Sequence, residues 1–253
     1  MIPIERQQRI LSSLQKKKVV SISELVTELN VSHMTIRRDI AKLEKLRSII
    51  SVSGGVTLIE PIRSEPSHDI KSNQHRTEKL NIARYAAELI SDNATVYLDA
   101  GTTTLEIAHK IAHRDDLLVI TNDFVITAFM IEHSTCQLFH TGGKLDRLNR
   151  SSVGEKTAKF LADFNIDQAF ISTSSWDIRG ISTPNEDKVV VKQSITKSSK
   201  KNYLVSDSSK FGKIAPFFAT DIKCFDQIIT DSHFPLSCVE ELAQQGVDVI
   251  ITN

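Results

Sequence analysis

The sequence predicts an α/β protein in two parts, an N-terminal winged helix-turn-helix and a C-terminal, mostly parallel α/β domain. Three observations lead to this prediction. The 253 residues exceed a typical single domain, apolar residues recur at helical spacing in the first sixty positions, and short apolar runs alternate with helical patterns from residue 77 onward. With 40% hydrophobic and 25% charged residues, the chain can form a packed core. The predicted boundaries are 1–58 for the first domain, 59–76 for a linker and 77–253 for the second.

Three helices are predicted before residue 46. The first covers residues 4–15, and the second follows Ser23, its predicted N-cap, after a short β-type segment at 19–22. Ser32 is predicted to cap a third helix over 33–45. The apolar residues of this third helix repeat at helical spacing and must face the first two: Ile36, Ile40 and Leu43.

The opposite face of the third helix is polar and basic near the helix start. It carries Ser32, His33, Thr35, Arg37, Arg38 and Lys42. Arginine makes bidentate contacts with guanine and lysine contacts phosphate, so this face fits the major groove of double-stranded DNA. Two β-like runs joined at Gly54 and Gly55 follow, and they predict a wing whose backbone N–H groups approach phosphate. A small dimerisation module with a solvated basic face is the alternative.

The distribution of charge also favours nucleic acid as a partner of the first part alone. The chain has 31 basic and 31 acidic side chains, but residues 1–60 carry ten basic and six acidic ones. The N-terminal part therefore has a net charge of about +4, and the remainder about −4.

No pattern in the sequence predicts export or a membrane span. Cys136, Cys224 and Cys238 form no C-x-x-C pair, so neither a disulfide framework nor a cysteine zinc site is expected. The N-terminus lacks the apolar core of a signal peptide, and no apolar run is long enough to cross a bilayer. We expect a cytoplasmic protein with no membrane partner.

Turns rich in hydroxyl, amide and glycine groups follow several predicted strands of the second domain, where parallel sheets bind ligands. The candidate effector-binding residues in these turns and after them are Asp99, Gly101, Thr102, Thr103, Thr104, Thr121, Asn122, Gly142, Gly143, Lys144, Ser172, Glu186 and Lys210. At 99–104, backbone N–H groups at a helix start and threonine hydroxyls favour a phosphate; an ordinary capped turn is the alternative. Neither the dinucleotide nor the nucleoside-triphosphate glycine pattern is present, so no such cofactor is expected.

Motifs in both parts resemble the DeoR family of bacterial repressors of sugar metabolism. They are VSHMTIRRDI at 31–40, SGGV at 53–56, LDAGTTT at 98–104, TN at 121–122, GG at 142–143, STPNE at 182–186 and DSSKFG at 207–212. The resemblance implies that Thr35, Arg37 and Arg38 contact DNA, while Met34 and Ile36 are structural. It also implies a sensor similar in fold to ribose-5-phosphate isomerase and the coenzyme A transferases. In that sensor, residues 101–104 would bind a sugar phosphate, with Glu186 and Lys210 near its other end.

Two departures from the family pattern refine this expectation. Ser53 replaces a histidine that often precedes the two glycines. At 172–177 the chain reads STSSWD where most family members keep Gly-Ala-Asp-Gly, so the carboxylates that an isomerase would use for proton transfer are absent or displaced. We therefore predict a homo-oligomeric repressor that binds a phosphorylated sugar or sugar acid without turnover and uses no metal or cofactor. An isomerase-like enzyme fused to a DNA-binding domain is the alternative. Trp176, in the same segment, is expected either to shape the ligand site or to pack against the sheet.

Overall fold

The computed structural model describes residues 1–17, 19–46, 48–52 and 55–253. Its N-terminal part contains three helices and a three-stranded antiparallel sheet of order β1-β3-β2. These elements are α1 (Pro3–Lys16), β1 (Val19–Ser21), α2 (Ile22–Leu29), α3 (His33–Lys45), β2 (Ile49–Val52) and β3 (Gly55–Leu58). The predicted winged helix-turn-helix is confirmed.

Helix α2 begins earlier than predicted. Ser21, not Ser23, is its N-cap: the Ser21 hydroxyl accepts a hydrogen bond from Glu24 N, and the Glu24 carboxylate accepts one from Ser21 N at 2.8 Å. This reciprocal pair is a capping box, which satisfies two N–H groups at the helix start. Ser21 and Ser23 are both candidate N-caps in the sequence, and Glu24, three residues after Ser21, selects Ser21.

Residues 59–76, predicted as a linker without regular structure, contain regular elements that pack on the rest of the chain. They include β4 (Glu60–Pro61), α4 (His68–Asn73) and the start of α5 (Arg76–Glu88). The Glu60 and Ile62 amides donate to the carbonyls of Gly212 and Ile214. The carboxylate of Glu65 is buried. The prolines that indicate a linker are Pro61 in an edge strand and Pro66 in the irregular segment before α4, where no amide hydrogen is needed.

A seven-stranded sheet, parallel throughout, forms the centre of the C-terminal part, with the order β17-β16-β13-β10-β5-β6-β7. Its strands are β5 (Thr95–Leu98), β6 (Leu118–Thr121), β7 (Gln137–His140), β10 (Ile166–Ile171), β13 (Ser199–Val205), β16 (Gln227–Asp231) and β17 (Asp248–Thr252). The chain proceeds from β5 toward one edge and from β10 toward the other, so these two adjacent strands are the topological switch point. The predicted parallel α/β class is confirmed.

Helices cover both faces of this sheet. α5, α6 (Thr102–Ile111) and α7 (Phe124–His133) pack on one face, whereas α8 (Glu155–Ala162), α9 (Asp187–Ser198) and α10 (Ser237–Gln244) pack on the other. Each face has its own core of buried aliphatic and aromatic side chains, as expected for a sheet whose strands read as continuous apolar runs.

Smaller elements surround the carboxyl edge of the sheet. β8 (Lys144–Asp146) and β9 (Ser151–Val153) form a hairpin, β11 (Ser175–Asp177), β12 (Gly180–Thr183) and β15 (Phe217–Asp221) form a three-stranded antiparallel sheet, and β14 (Lys213–Ile214) pairs with β4. Two short 3-10 helices cover Ser208–Lys210 and Ile222–Cys224. No helix among the described residues is long and apolar enough to cross a membrane.

Candidate DNA interface and effector pocket

Helix α3 presents its predicted basic face to solvent. The Ser32 hydroxyl accepts a hydrogen bond from Thr35 N at 3.3 Å and caps the helix. His33, Arg37, Arg38 and Lys42 are all exposed, so the arginines and lysine can reach a duplex without any rearrangement of the domain core.

Met34 contradicts its expected structural role. Its side chain is 68% exposed beside the basic residues, whereas Ile36, on the opposite face, is fully buried. An exposed thioether at the start of a recognition helix adds an apolar group to a polar surface, and apolar groups read the methyl of thymine.

A buried ion pair fixes α3 against α1. The Arg6 guanidinium donates to Asp39, and Gln7 Nε2 donates to the other Asp39 oxygen at 3.1 Å. The side chains of Arg6 and Asp39 are only 11% and 3% exposed. The Asp39 carboxylate is therefore turned away from the DNA face and holds the orientation of the helix that carries Arg37 and Arg38. Sequence reasoning missed this pair because its partners lie 33 positions apart.

The predicted wing is attached to α3 but one of its glycines has a structural role. Ser51 N donates to the Glu44 carboxylate at 2.9 Å. Gly55 is buried, and a Cβ added there would meet the Val20 carbonyl oxygen at 2.5 Å. Gly55 thus permits the close approach of β3 to β1, and its burial contradicts the predicted DNA contact. Gly54, the other predicted wing contact, lies outside the described residues.

An internal pocket lies at the carboxyl ends of β5, β10 and β13, at the switch point of the sheet. Its lining includes Asp99, Gly101, Thr102, Thr103, Asn122, Ser172 and Lys210 among the predicted residues. We call it the effector pocket. Its volume is about 60 Å³, which holds roughly two water molecules.

The start of α6 forms one wall of the effector pocket. Thr102 and Thr103 occupy its first turn, in which backbone N–H groups have no acceptor within the helix. Gly101 allows this wall to contact the next strand, because a Cβ there would meet Ser172 Oγ at 2.7 Å. The wall therefore offers an anion both the positive end of a helix dipole and hydroxyl donors.

Several predicted residues support this wall without lining the pocket. The Thr104 hydroxyl donates to the carbonyls of Asp99 (2.6 Å) and Gly101 (2.8 Å). Thr121 Oγ1 donates to Leu98 O at 2.7 Å. These hydroxyls are already engaged with the backbone and lie outside the lining of the pocket, and their contact with effector stays a prediction.

The other predicted residues that lie away from the pocket lining have different roles. Gly142 and Gly143 have positive φ angles in the segment before β8, and the Lys144 ammonium is exposed and pairs with Asp187 at 2.6 Å. Glu186 is exposed just before α9. Gly142, Gly143, Lys144 and Glu186 are all absent from the lining of the effector pocket, and their contact with a ligand stays a prediction.

Asp99 and Asn122 line the pocket but are largely committed to protein partners. Asp99 pairs with the Lys192 ammonium and accepts from Ser172 N at 3.0 Å. The Asn122 carbonyl accepts from the Tyr97 hydroxyl and from Ala100 N, both at 2.9 Å. These bonds hold the 99–101 loop in place, so both residues position the site.

Sequence reasoning missed the main cationic component of the effector pocket. Besides Lys210, four lysines line it: Lys71, Lys79, Lys188 and Lys192. The described lining contains only three carboxylates, those of Glu65, Asp99 and Asp207, so the pocket has an excess of positive charge. These lysines come from α4, α5 and α9, which no single motif joins.

Burial lowers the pKa of two of these lysines. Burial lowers the pKa of Lys79 to about 8, with a further contribution from the charge of Lys210. Burial also lowers the pKa of Lys71. A bound anion would raise both pKa values, since it favours the charged ammonium.

Two buried hydroxyls in the lining have no hydrogen-bond partner within the described part of the chain, those of Ser151 and Ser174. Buried polar groups are normally paired. A polyhydroxylated ligand would supply the missing partners.

Trp176 packs in the core and also contacts the pocket wall. It stacks on Phe234 with ring centroids 5.4 Å apart and meets Phe211 edge-on. Its Nε1 donates to the hydroxyl of Ser206, which lines the pocket, at 3.1 Å. Both expected roles are therefore compatible with its position.

Comparison with known proteins identifies both parts of the chain. Residues 6–61 match the DeoR-like helix-turn-helix domain, and residues 74–232 match the DeoR C-terminal sensor domain. An uncharacterized HTH-type transcriptional regulator of Haemophilus influenzae is 52% identical over 99% of this chain and 98% of its own. The glycerol-3-phosphate regulon repressor of Escherichia coli is 30% identical over 97% of both. Among solved structures, ribose 5-phosphate isomerase A from Methanocaldococcus jannaschii aligns with a TM-score of 0.40 at 14% identity over 55% of each chain, a likeness too weak to bear on function.

Proposed function

The chain belongs to the DeoR family of transcriptional regulators, and from that premise we propose that it is a homo-oligomeric repressor relieved by a phosphorylated sugar or sugar acid. The observation that supports effector binding is that the first turn of α6 and five lysines line the same buried pocket. Such a site favours a small, multiply charged anion over an apolar ligand.

The name of one relative supports the same choice. The glycerol-3-phosphate regulon repressor is named for repression and for a phosphorylated polyol. The cationic pocket of this chain suits a ligand of that general chemistry, and its unpaired hydroxyls suit the polyol part.

We propose binding without turnover. Proton transfer between sugar carbons requires a carboxylate that is free to act as a base. Asp99 is paired with Lys192, Glu65 with Lys71 and Lys188, and Asp207 accepts from Ser209 N at 3.1 Å. Each carboxylate of the described pocket lining already has a partner, and Glu186 lies outside that lining.

The DNA half is tested by replacing Arg37 and Arg38 with alanine. Both are exposed, so the fold should persist while base and phosphate contacts are lost. We expect affinity for genomic DNA flanking the gene to fall by a factor of roughly 30 or more, from about 1–3 kcal/mol for each arginine. The measurement is fluorescence anisotropy, with circular dichroism to verify folding.

A matched control removes the same charge elsewhere. Lys156 and Lys159 are exposed on α8 of the sensor; their double alanine variant should bind DNA as the unaltered protein does. Equal loss in both variants would indicate nonspecific electrostatics and contradict a recognition role for α3. The homo-oligomer is tested separately by sedimentation velocity, since specific operators are bound by paired domains; a monomer at operator-binding concentration contradicts it.

A further inference from the structure

Glu65 places a carboxylate from the interdomain segment inside the effector pocket. Its side chain is only 5% exposed and accepts from Lys188 at 2.8 Å and from Lys71 at 3.0 Å. Burial acts to raise the pKa of Glu65, but the two lysines outweigh it and lower the pKa to about 2. The carboxylate is therefore ionised and pairs with two of the five lysines that line the pocket.

The size of the effector pocket points to a rearrangement on ligand binding. About 60 Å³ is available, whereas pockets for small organic ligands usually measure from about 300 Å³ upward. A sugar phosphate therefore needs a side chain to leave. Glu65 meets this need, since its departure would free both volume and two ammonium groups.

The segment that carries Glu65 is joined directly to the DNA-binding domain. β3 of the wing ends at Leu58, and β4 begins at Glu60. β4 pairs with β14, which follows Lys210 of the pocket by three residues. Residues 59–67 are thus held to the sensor at two places, through backbone pairing at β4 and through Glu65 in the pocket.

We propose that Glu65 is a built-in anion that the effector displaces, so that ligand binding removes one of the two attachments of residues 59–67 to the sensor and alters the placement of the DNA-binding domain. This inference rests on the proposed function of the pocket. The effector anion and the Glu65 carboxylate compete for Lys71 and Lys188. Because each excludes the other, effector binding is coupled to the attachment of residues 59–67. The coupling free energy is the difference between the free energies of effector binding to the attached state and to the released state.

The test uses the full chain, inorganic phosphate as probe, and trypsin cleavage after Arg63. Arg63 is exposed two residues before Glu65, and cleavage requires the segment to leave its site. We expect phosphate to accelerate formation of the 64–253 fragment, which is detected by mass spectrometry. Chloride keeps the ionic strength constant as phosphate is added. No acceleration at phosphate saturation, verified by calorimetry, would overturn the proposal while leaving the anion pocket intact.

Glu65→Gln gives the second measurement. It keeps the shape of the side chain but removes its charge, so phosphate should bind about tenfold tighter, since one nearby negative charge is gone. Cleavage after Arg63 should be rapid even without phosphate and respond little to it. Glu60→Gln, an exposed change of the same charge in the same segment, should behave as the unaltered protein does.

The remaining outcomes separate this inference from the function on which it rests. Unchanged phosphate affinity and unchanged cleavage in Glu65→Gln would show that the carboxylate does not compete with the ligand, and would overturn the proposal alone. Failure of phosphate and of glycerol 3-phosphate to bind either protein would overturn the anion pocket itself, and the displacement with it.

Discussion

The cations of α3 face solvent, whereas those of the effector pocket are enclosed and mostly paired with protein groups. Arg37 and Arg38 extend from the exposed side of a helix. Lys71, Lys188 and Lys192 each contact a buried carboxylate. The first arrangement offers charge to a large polyanion at little cost to the fold, and in the proposed function the second binds a small anion that exchanges with internal partners.

This difference makes the two regions respond differently to substitution. Removing an exposed charge changes binding but hardly changes stability. Removing a buried paired charge leaves its partner uncompensated in a low-dielectric site.

The largest effect is expected for Lys192→Met, which leaves the Asp99 carboxylate buried without its cation. We expect the sensor to lose about 3–5 kcal/mol of its free energy of unfolding. Denaturation followed by the fluorescence of Trp176, the single tryptophan of the chain, measures the sensor specifically.

Arg38→Met is the matched change on α3. It should alter the free energy of unfolding of its own domain by no more than about 0.5 kcal/mol, measured by circular dichroism. If the two substitutions cost the same, burial does not distinguish the two regions and the comparison fails.

The same contrast explains what could be predicted from the sequence. The DNA face is local: Ser32, Thr35, Arg37 and Arg38 lie within seven positions on one helix, so helical periodicity places them together. The strands of the sheet were predictable for a similar reason, because each is a short apolar run. Parallel order and the switch point follow from alternation with helices.

The cationic half of the pocket was not predictable in this way. Lys79 and Lys192 are 113 positions apart, and each reads as an ordinary solvated lysine in its helix. Only the tertiary fold makes them neighbours of the 99–104 loop. The loop itself was identified from its residues, but which hydroxyls line the pocket depends on helix phase, and the Thr104 hydroxyl donates to the backbone instead.

A smaller effect is expected for Asp39→Asn in the DNA-binding domain. The amide keeps an oxygen toward Arg6 or Gln7 but loses the ionic component of the pair, so we expect a loss of about 2–3 kcal/mol. Operator affinity should fall although the Asp39 side chain is buried, because the pair orients α3. Wild-type operator affinity in the folded variant would contradict that role.

The next effect is a pH dependence of effector binding. The pKa of Lys79 is about 8 in the folded chain, and anion binding favours its protonated form, so affinity should fall as the pH rises above 8. The fall is at most roughly tenfold per pH unit, for uptake of one proton. Glycerol 3-phosphate is a suitable probe, since a phosphate monoester is already dianionic in this range. The lowered pKa of Lys71 acts in the same direction.

Lys79→Arg is the control for this titration. Arginine keeps its charge throughout the range, so the part of the pH dependence that comes from position 79 should disappear in isothermal titration calorimetry. An unchanged profile in this variant would assign the dependence to another group.

The smallest effect is expected where hydroxyls, and not charges, contact the anion. Replacing Thr102 and Thr103 by alanine removes two donors from the pocket wall but keeps the backbone N–H groups and the dipole of α6. We expect phosphate affinity to fall about three- to fivefold, near the lower end of the contribution of neutral hydrogen bonds.

Thr104→Ala is the matched control, because the Thr104 hydroxyl donates only to the carbonyls of Asp99 and Gly101 among the described contacts. It should lower stability and leave the affinity of the folded protein within twofold. Thr104→Ala could instead weaken phosphate binding more than the double variant does. Phosphate affinity would then depend on the shape of the 99–101 loop more than on the hydroxyls. That result would contradict direct donation by Thr102 and Thr103.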